Sequence, residues 1–235
     1  MMKKWIAWLL VCCMWLPVCT AEREIDWSKP IVALTFDDGP SEYTPRVLEL
    51  LEQYGCTATF FMLGNRMSHY PDAVRMVAES ENEIASHSWN HANLVTLSYQ
   101  DMLENVLMSK NKIKTMTGRD AQFLRAPYGM NNKDLFTVCG KLDLVLVHWS
   151  NDSMDWDVKT PEEVYERVLN QLQNGDIILC HDTYEHTVIA LETLLPELIN
   201  RGYQVVSVAE LLSNCGGISN RLRYFKLDLS KVPQQ

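Results

Sequence analysis

Two adjacent acids, Asp37 and Asp38, end an apolar run and are followed by Gly39-Pro40. His87 and His91 stand in the segment His87-Ser88-Trp89-Asn90-His91, and three more polar groups follow: Arg125-Ala126-Pro127-Tyr128-Gly129, Asp152-Ser153-Met154-Asp155-Trp156 and His181-Asp182. Two neutral imidazoles and one carboxylate make a three-ligand set with open positions, as catalytic zinc requires. His87 and His91 can reach one ion if the turn between them is tight, and one acid of the Asp37-Asp38 pair can complete the set. The other acid would then face a water held by the ion, as a general base. A bound ion lowers the pKa of such a water to ~7 and polarises a carbonyl oxygen. His181, from a separate segment, can approach from the opposite side as general acid. The chemistry expected of this set is metal-assisted hydrolysis of an amide or ester. Two histidines and a carboxylate also suit non-haem iron oxygenases, but those have no use for a second acid, an arginine and an opposed histidine.

Taken singly, each group has an ordinary structural explanation. Asp-Asp-Gly is a common turn, a histidine pair can belong to a solvated loop, and Arg125 can bridge carboxylates. Those explanations weaken jointly, because all five groups follow apolar runs that read as strands. His69, His148 and His186 lack such company and read as structural.

The elements that must position these residues alternate. Residues 31–36 read as a buried strand, and Pro45 opens a helix through Tyr54 at its favoured first turn. Further strands are expected at 57–62, 83–86, 123–125, 144–149, 177–180 and 204–208. Helices are expected at 71–80, from the Ser98 cap to about 116, and at 132–140, 160–173 and 187–200. Strand–helix alternation at this spacing implies parallel strands with right-handed crossovers. About seven strands in a chain of this length suit a compact α/β barrel, in which the polar groups share the C-terminal edge where such barrels place catalytic sites. No Gly-rich phosphate loop follows the first strand, which argues against a nucleotide-binding fold. The expected organisation is a signal peptide at 1–21, a lead-in at 22–29, one domain at 30–212 and a surface tail at 213–235.

The segments TFDDGP, HSWNH, RAPYG, DSMDW and LCHD, in this order, resemble the five motifs of the polysaccharide deacetylases, the NodB-homology domains of carbohydrate esterase family 4. The resemblance spans roughly residues 30–212. It implies a distorted (β/α) barrel and divalent-metal-dependent removal of acetyl groups from N-acetylated sugars. It casts Asp37 as catalytic base, and Asp38, His87 and His91 as metal ligands with Ser88 supporting their loop. Arg125 orients the base, and Asp155 tunes His181, the general acid. The backbone N–H of Tyr128 assists the oxyanion, while Trp156 and Leu179 wall the acetyl methyl. Ala126 and Ala92 stand where proline is common, and Glu81 replaces a frequent glycine; none of these is a catalytic position. Zinc is the expected ion, with cobalt, nickel and manganese as alternatives. The expected substrate is peptidoglycan or a chitin-like glycan carrying N-acetylglucosamine, with an O-acetyl xylan esterase or a non-catalytic glycan-binding module as the other readings. A binder has no need of Asp37 and His181.

Composition agrees with one globular unit. The 235 residues are 47% apolar and 22% charged, which excludes disorder and fibrous repeats. A net charge of −9 leaves no basic face for phosphate, so nucleic acid is not an expected partner. No stable protein partner is expected, and the chain reads as a monomer. Lys3 and Lys4 precede an apolar run to Leu16, then Pro17 and Cys19-Thr20-Ala21, the pattern of a secretory signal cleaved after Ala21. The expected location is therefore extracytoplasmic, with an uncleaved anchor or a lipid attached at Cys19 as the weaker readings. Beyond that signal, Cys56, Cys139, Cys180 and Cys215 admit three pairings or free thiols.

Overall fold

The computed structural model describes residues 24–213 together with 223, 224 and 226. In chain order the elements are β1 (Ile31–Asp37), α1 (Thr44–Gln53), β2 (Thr59–Met62), α2 (Pro71–Glu79), β3 (Glu83–Ser86), α3 (Tyr99–Thr117), β4 (Phe123–Leu124) and α4 (Lys133–Lys141). They continue as β5 (Val145–Val147), β6 (Asn151–Asp152), α5 (Pro161–Gln171), β7 (Ile177–His181), α6 (Glu185–Asn200), β8 (Gln204–Val206), α7 (Val208–Leu212) and β9 (Arg223–Tyr224). Local chemistry sets many of these boundaries. Prolines open α1, α2 and α5, where the missing N–H costs nothing. The Ser98 side chain accepts from the Asp101 N–H to start α3, and Gly118, at φ 73°, ends it in a left-handed turn.

Every pairing between these strands is parallel, in the order β6-β7-β1-β2-β3-β4-β5-β9, with β8 beside the first half of β1. Seven parallel strands, β1 to β5 with β7 and β8, form a curled half-barrel with the helices around it, and the two-residue strands β6 and β9 sit at its ends. Successive side chains on a strand point to opposite faces. Val32, Leu34 and Phe36 of β1 therefore face outward and pack with Phe60, Ile178 and the helices in the larger apolar core. Ile31 and Ala33 face inward, with Phe61, Ala85, Phe123, Val147 and Ile177.

The inward series does not stay apolar. In β1 it runs Ile31, Ala33, Thr35, Asp37; beyond Ala85 it reaches His87, beyond Phe123 it reaches Arg125, and beyond Ile177 it reaches Leu179 and His181. The same parity that fills the barrel floor with hydrocarbon thus delivers polar side chains to its C-terminal mouth. Below, Val208, Leu211 and Leu212 of α7 plug the floor.

Three features depart from the sequence reading. The last expected strand stops at Val206, because Ser207 and Glu210 form a reciprocal capping box that starts α7. The expected strand at 144–149 stops at Val147, and the chain crosses to β6. The tail is more than an appendage: Arg223–Tyr224 pairs with β5, and Lys226 lies 3.4 Å from Asp176 beside the start of β7. Cys56, Cys139 and Cys180 are buried thiols, and burial pushes Cys139 up to about 12. Cys215 and the expected signal at 1–21 lie outside the described residues.

Candidate active site

The strand register gathers the site. Asp37 is the β1 partner of both Phe61 in β2 and His181 in β7, and Ser86 at the end of β3 partners Leu124 in β4. Asp37 and His181 are therefore level with each other and, through Phe61, with Ala85, while His87 and Arg125 follow the ends of β3 and β4 two residues higher, so all four reach the same mouth of the barrel. The loops above them are tightly folded. Among the described residues, φ is positive at six non-glycine positions, and five lie here: Asp38 (66°), Ser88 (73°), His91 (58°), Tyr128 (61°) and Met154 (54°). Backbone held in this region is costly and clusters at functional sites. Gly39 is needed for a different reason, since a Cβ there would meet the Asp182 carboxylate at 2.5 Å.

Asp38, His87 and His91 come together. The Nε2 atoms of both histidines lie 3.4 Å from the same oxygen, Asp38 Oδ1, which is buried and has no hydrogen-bond partner. Two donors at ~2.0–2.1 Å from one zinc ion at a tetrahedral angle would stand ~3.4 Å apart. The spacing and the orphaned oxygen both fit a divalent ion. Second contacts orient the ligands: His87 Nδ1 donates to the Arg125 carbonyl at 2.8 Å, and the His91 N–H donates to the Ser88 hydroxyl at 3.1 Å. Burial drives His87 down to about 3, so it is neutral and its Nε2 lone pair is available.

Asp37 sits 3.8 Å from His87 Nε2 through Oδ2, while its other oxygen, Oδ1, accepts from Arg125 at 2.8 Å. Arg125 is fully buried, an arrangement tolerated only when the charge is paired and the donors are satisfied. It donates also to the Thr35 hydroxyl at 2.7 Å and the His148 carbonyl at 2.9 Å, and its guanidinium lies over the Phe61 ring at 4.1 Å. Burial raises the Asp37 pKa, and the charge and hydrogen bond of Arg125 work against that rise.

On the other side, His181 Nδ1 donates to Asp155 Oδ1 at 2.7 Å, and the His181 backbone N–H donates to Oδ2 of the same carboxylate, also at 2.7 Å. His181 Nε2 points back toward the trio, 4.0 Å from Asp38 Oδ2. Burial opposes the imidazolium, but the hydrogen bond and charge of Asp155, with Asp37 and Asp38 behind it, outweigh burial and raise His181 to about 9. A carboxylate and an imidazole, each tied to its own charged partner, thus flank the three residues that could hold a metal.

A cleft of about 450 Å³ opens over these groups, and Tyr128, Trp149, Trp156, Leu179 and Tyr184 wall it. Leu179 is buried, whereas Trp156 and Tyr128 are 49% and 64% exposed. All ten residues singled out in the sequence reach this site: seven carry its polar groups, and Tyr128, Trp156 and Leu179 line it. The model of the family described as polysaccharide deacetylase matches residues 25–147, more than half the chain. The chain belongs to the polysaccharide deacetylase family.

Other members are similar over most of the domain. The peptidoglycan-N-acetylglucosamine deacetylase of Bacillus cereus is 37% identical over 195 residues, covering 80% of this chain and 91% of that protein. The peptidoglycan-N-acetylmuramic acid deacetylase PdaC of Bacillus subtilis is 35% identical over 191 residues, covering 81% of this chain but only 40% of PdaC. The chain thus spans about 40% of the length of that relative. The solved structure of PdaC superposes with a TM-score of 0.75 at 34% identity, over 80% of this chain and 93% of that one.

Several groups around this deacetylase-family site escape the sequence reading. Thr35 holds Arg125 and donates to the Ile178 carbonyl at 2.6 Å. His186, which reads as structural from sequence, donates from Nε2 to the Asp155 backbone carbonyl at 2.8 Å, and the Thr187 hydroxyl donates to Asp155 Oδ2 at 2.8 Å. Asp182 is not the partner of His181; its carboxylate accepts from Thr44, and burial raises it to about 6. No residue spacing in the sequence encodes these contacts.

Proposed function

We propose that this chain is an exported, zinc-dependent N-deacetylase that removes acetyl groups from N-acetylglucosamine units of peptidoglycan or a chitin-like glycan. The observation that supports it most is the pair of poised groups, Asp37 on Arg125 and His181 on Asp155, on either side of three convergent metal donors. The peptidoglycan deacetylases among its relatives support a cell-wall glycan as the substrate class.

Asp38, His87 and His91 would hold the ion, which when bound supplies Lewis acidity to the acetyl carbonyl and to the attacking water. Asp37 takes the proton from that water, and Arg125 keeps its carboxylate oriented. The backbone N–H of Tyr128 donates to the oxygen as negative charge develops there. His181 Nε2 gives its proton to the sugar nitrogen as the carbon–nitrogen bond breaks, leaving acetate and a free amine. Asp155 fixes the His181 tautomer through Nδ1. Trp156 and Leu179 enclose the acetyl methyl and exclude water from that side. An amine leaves poorly without a proton, so a His181 raised to about 9 favours amide cleavage over an acetyl ester.

Residues 1–21 would direct export, which suits a wall glycan as substrate. Acetate release from peptidoglycan, chitooligosaccharides and acetylxylan, with and without chelator and added zinc, tests the proposal. Release from the N-acetylated glycans that chelator abolishes and zinc restores is the expected result. Release from acetylxylan alone would overturn it in favour of an esterase, and binding without release would make the chain a glycan-binding module.

A further inference from the structure

Two tyrosines stand edge-on to the two ends of the site. The Tyr128 ring meets His91 with centroids 4.7 Å apart at 72°, and the Tyr184 ring meets His181 at 5.8 Å and 67°. Tyr128 belongs to a motif the sequence already singles out. Tyr184 does not, and nothing in the chemistry proposed above uses it.

We propose that Tyr184 is a substrate-contacting, specificity-determining residue, held by His186, that reads the sugar ring bearing the nitrogen released at His181; this rests on the N-deacetylase reading given above. The geometry forces the juxtaposition. His181 Nδ1 is occupied by Asp155, so only Nε2 can deliver a proton, and the accepting nitrogen must come within ~3 Å of it. That nitrogen is bonded directly to a sugar carbon. The pyranose must therefore occupy the cleft next to the aromatic ring that packs against His181, which is Tyr184.

The ring is also preorganised for contact. It stacks on His186 with centroids 5.3 Å apart and an interplanar angle of 20°, and His186 is anchored to the Asp155 carbonyl at 2.8 Å. Asp155 thus fixes the acid through its carboxylate and the cleft wall through its backbone. A ring already immobilised loses little entropy when a sugar packs on it. Among the described residues nothing hydrogen-bonds the Tyr184 hydroxyl, which leaves a donor and acceptor for a sugar hydroxyl beside the amide. Burial keeps the phenol protonated by raising its pKa. A substrate lacking that sugar cannot use the contact.

The test compares Tyr184→Phe, Tyr184→Ala and His186→Ala with the native chain on two substrates: the N-acetylglucosamine tetramer, and an aryl acetate with no sugar. Affinity for the tetramer is measured separately by calorimetry in an Asp37→Asn background. For Tyr184→Ala the loss in kcat/KM on the tetramer should exceed the loss on the aryl acetate by about tenfold or more, with a parallel weakening of binding. Tyr184→Phe keeps the ring and should show a smaller loss, several-fold, confined to the tetramer. His186→Ala should follow Tyr184→Ala in selectivity, with a smaller amplitude. Equal losses on both substrates would mean Tyr184 serves His181 alone, and unchanged tetramer kinetics and binding would mean it touches no sugar; either overturns the assignment. A native chain that hydrolyses the aryl acetate but neither binds nor deacetylates the tetramer would overturn the N-deacetylase reading itself, and the Tyr184 assignment with it.

Discussion

Asp37 and His181 are register partners across β1 and β7, yet each is bound to a different charge: Asp37 to Arg125 at 2.8 Å and His181 to Asp155 at 2.7 Å. Left to each other, a carboxylate and an imidazole on adjacent strands would form one ion pair and lose separate roles. In the proposed mechanism their outside partners let Asp37 accept a proton while His181 donates one, the assignment an acid–base pair requires.

The two neighbouring acids should separate in their effects. Asp37→Asn should retain bound metal and lower kcat by about 10²–10⁴, the usual cost of losing a general base. Asp38→Asn should weaken metal binding itself, because Asp38 Oδ1 is the oxygen both histidines share. Metal analysis of the two purified variants beside their turnover checks this. A metal-free Asp37→Asn with a fully loaded Asp38→Asn would reverse the roles.

Loss of the proposed acid should depend on the leaving group. His181→Ala should harm N-acetyl hydrolysis far more than hydrolysis of an aryl acetate, whose phenolate leaves without a proton. Steady-state rates on both substrates provide the comparison. Equal damage would show that His181 does something other than protonate the leaving nitrogen.

The alkaline limb of activity should follow His181. A proton donor raised to about 9 keeps kcat/KM high through neutral pH and lets it fall as pH rises through 9. Asp155→Asn removes the charge that chiefly raises it, so the limb should move toward neutral pH. Stability carries the same sign: the imidazolium's contribution is complete below 6.5, its unfolded value, and disappears as pH rises to about 9. A pH–rate profile of Asp155→Asn with an unmoved alkaline limb would remove Asp155 from the mechanism.

A second titration sits at the opposite end of the barrel. Glu83 accepts from Thr59 at 2.7 Å and from the Ala209 N–H at 3.2 Å, and burial raises it to about 7. Its folded pKa exceeds its unfolded value of 4.5, so the native state holds the proton longer and stability should fall as pH rises from 4.5 through 7. Glu83→Gln keeps an acceptor oxygen without the charge. It should flatten that slope and gain on the order of 1–2 kcal/mol at pH 8, read from denaturant melts at pH 5 and 8. Parallel slopes in the two proteins would count against this origin.

Much of this was legible because strand parity carries it. Once residues 31–36 read as a strand, Asp37 and Asp38 had to lie at its C-terminal end, and the same logic placed His87, Arg125 and His181. What escaped depends on tertiary approach. The β6 and β9 strands have two residues each, too short for any periodicity to show. The apolar Val205, Val206 and Val208 suggested a continuous strand and masked the Ser207-to-Glu210 capping signal. Tyr184 reaches the cleft, and His186 its hydrogen bond, only when the loop after β7 folds back on Asp155, whose own position is set by a different strand.

The most direct measurement strips the purified chain with chelator and titrates zinc back, following bound ion and acetate release from N-acetylglucosamine oligomers in the same samples. If Asp38, His87 and His91 hold the ion between Asp37 and His181, binding should saturate at about one ion per chain and activity should rise in step. His87→Ala and His91→Ala should lose both. Full turnover by the stripped protein, or saturation with zinc at a stoichiometry unrelated to the rise in activity, would contradict this arrangement.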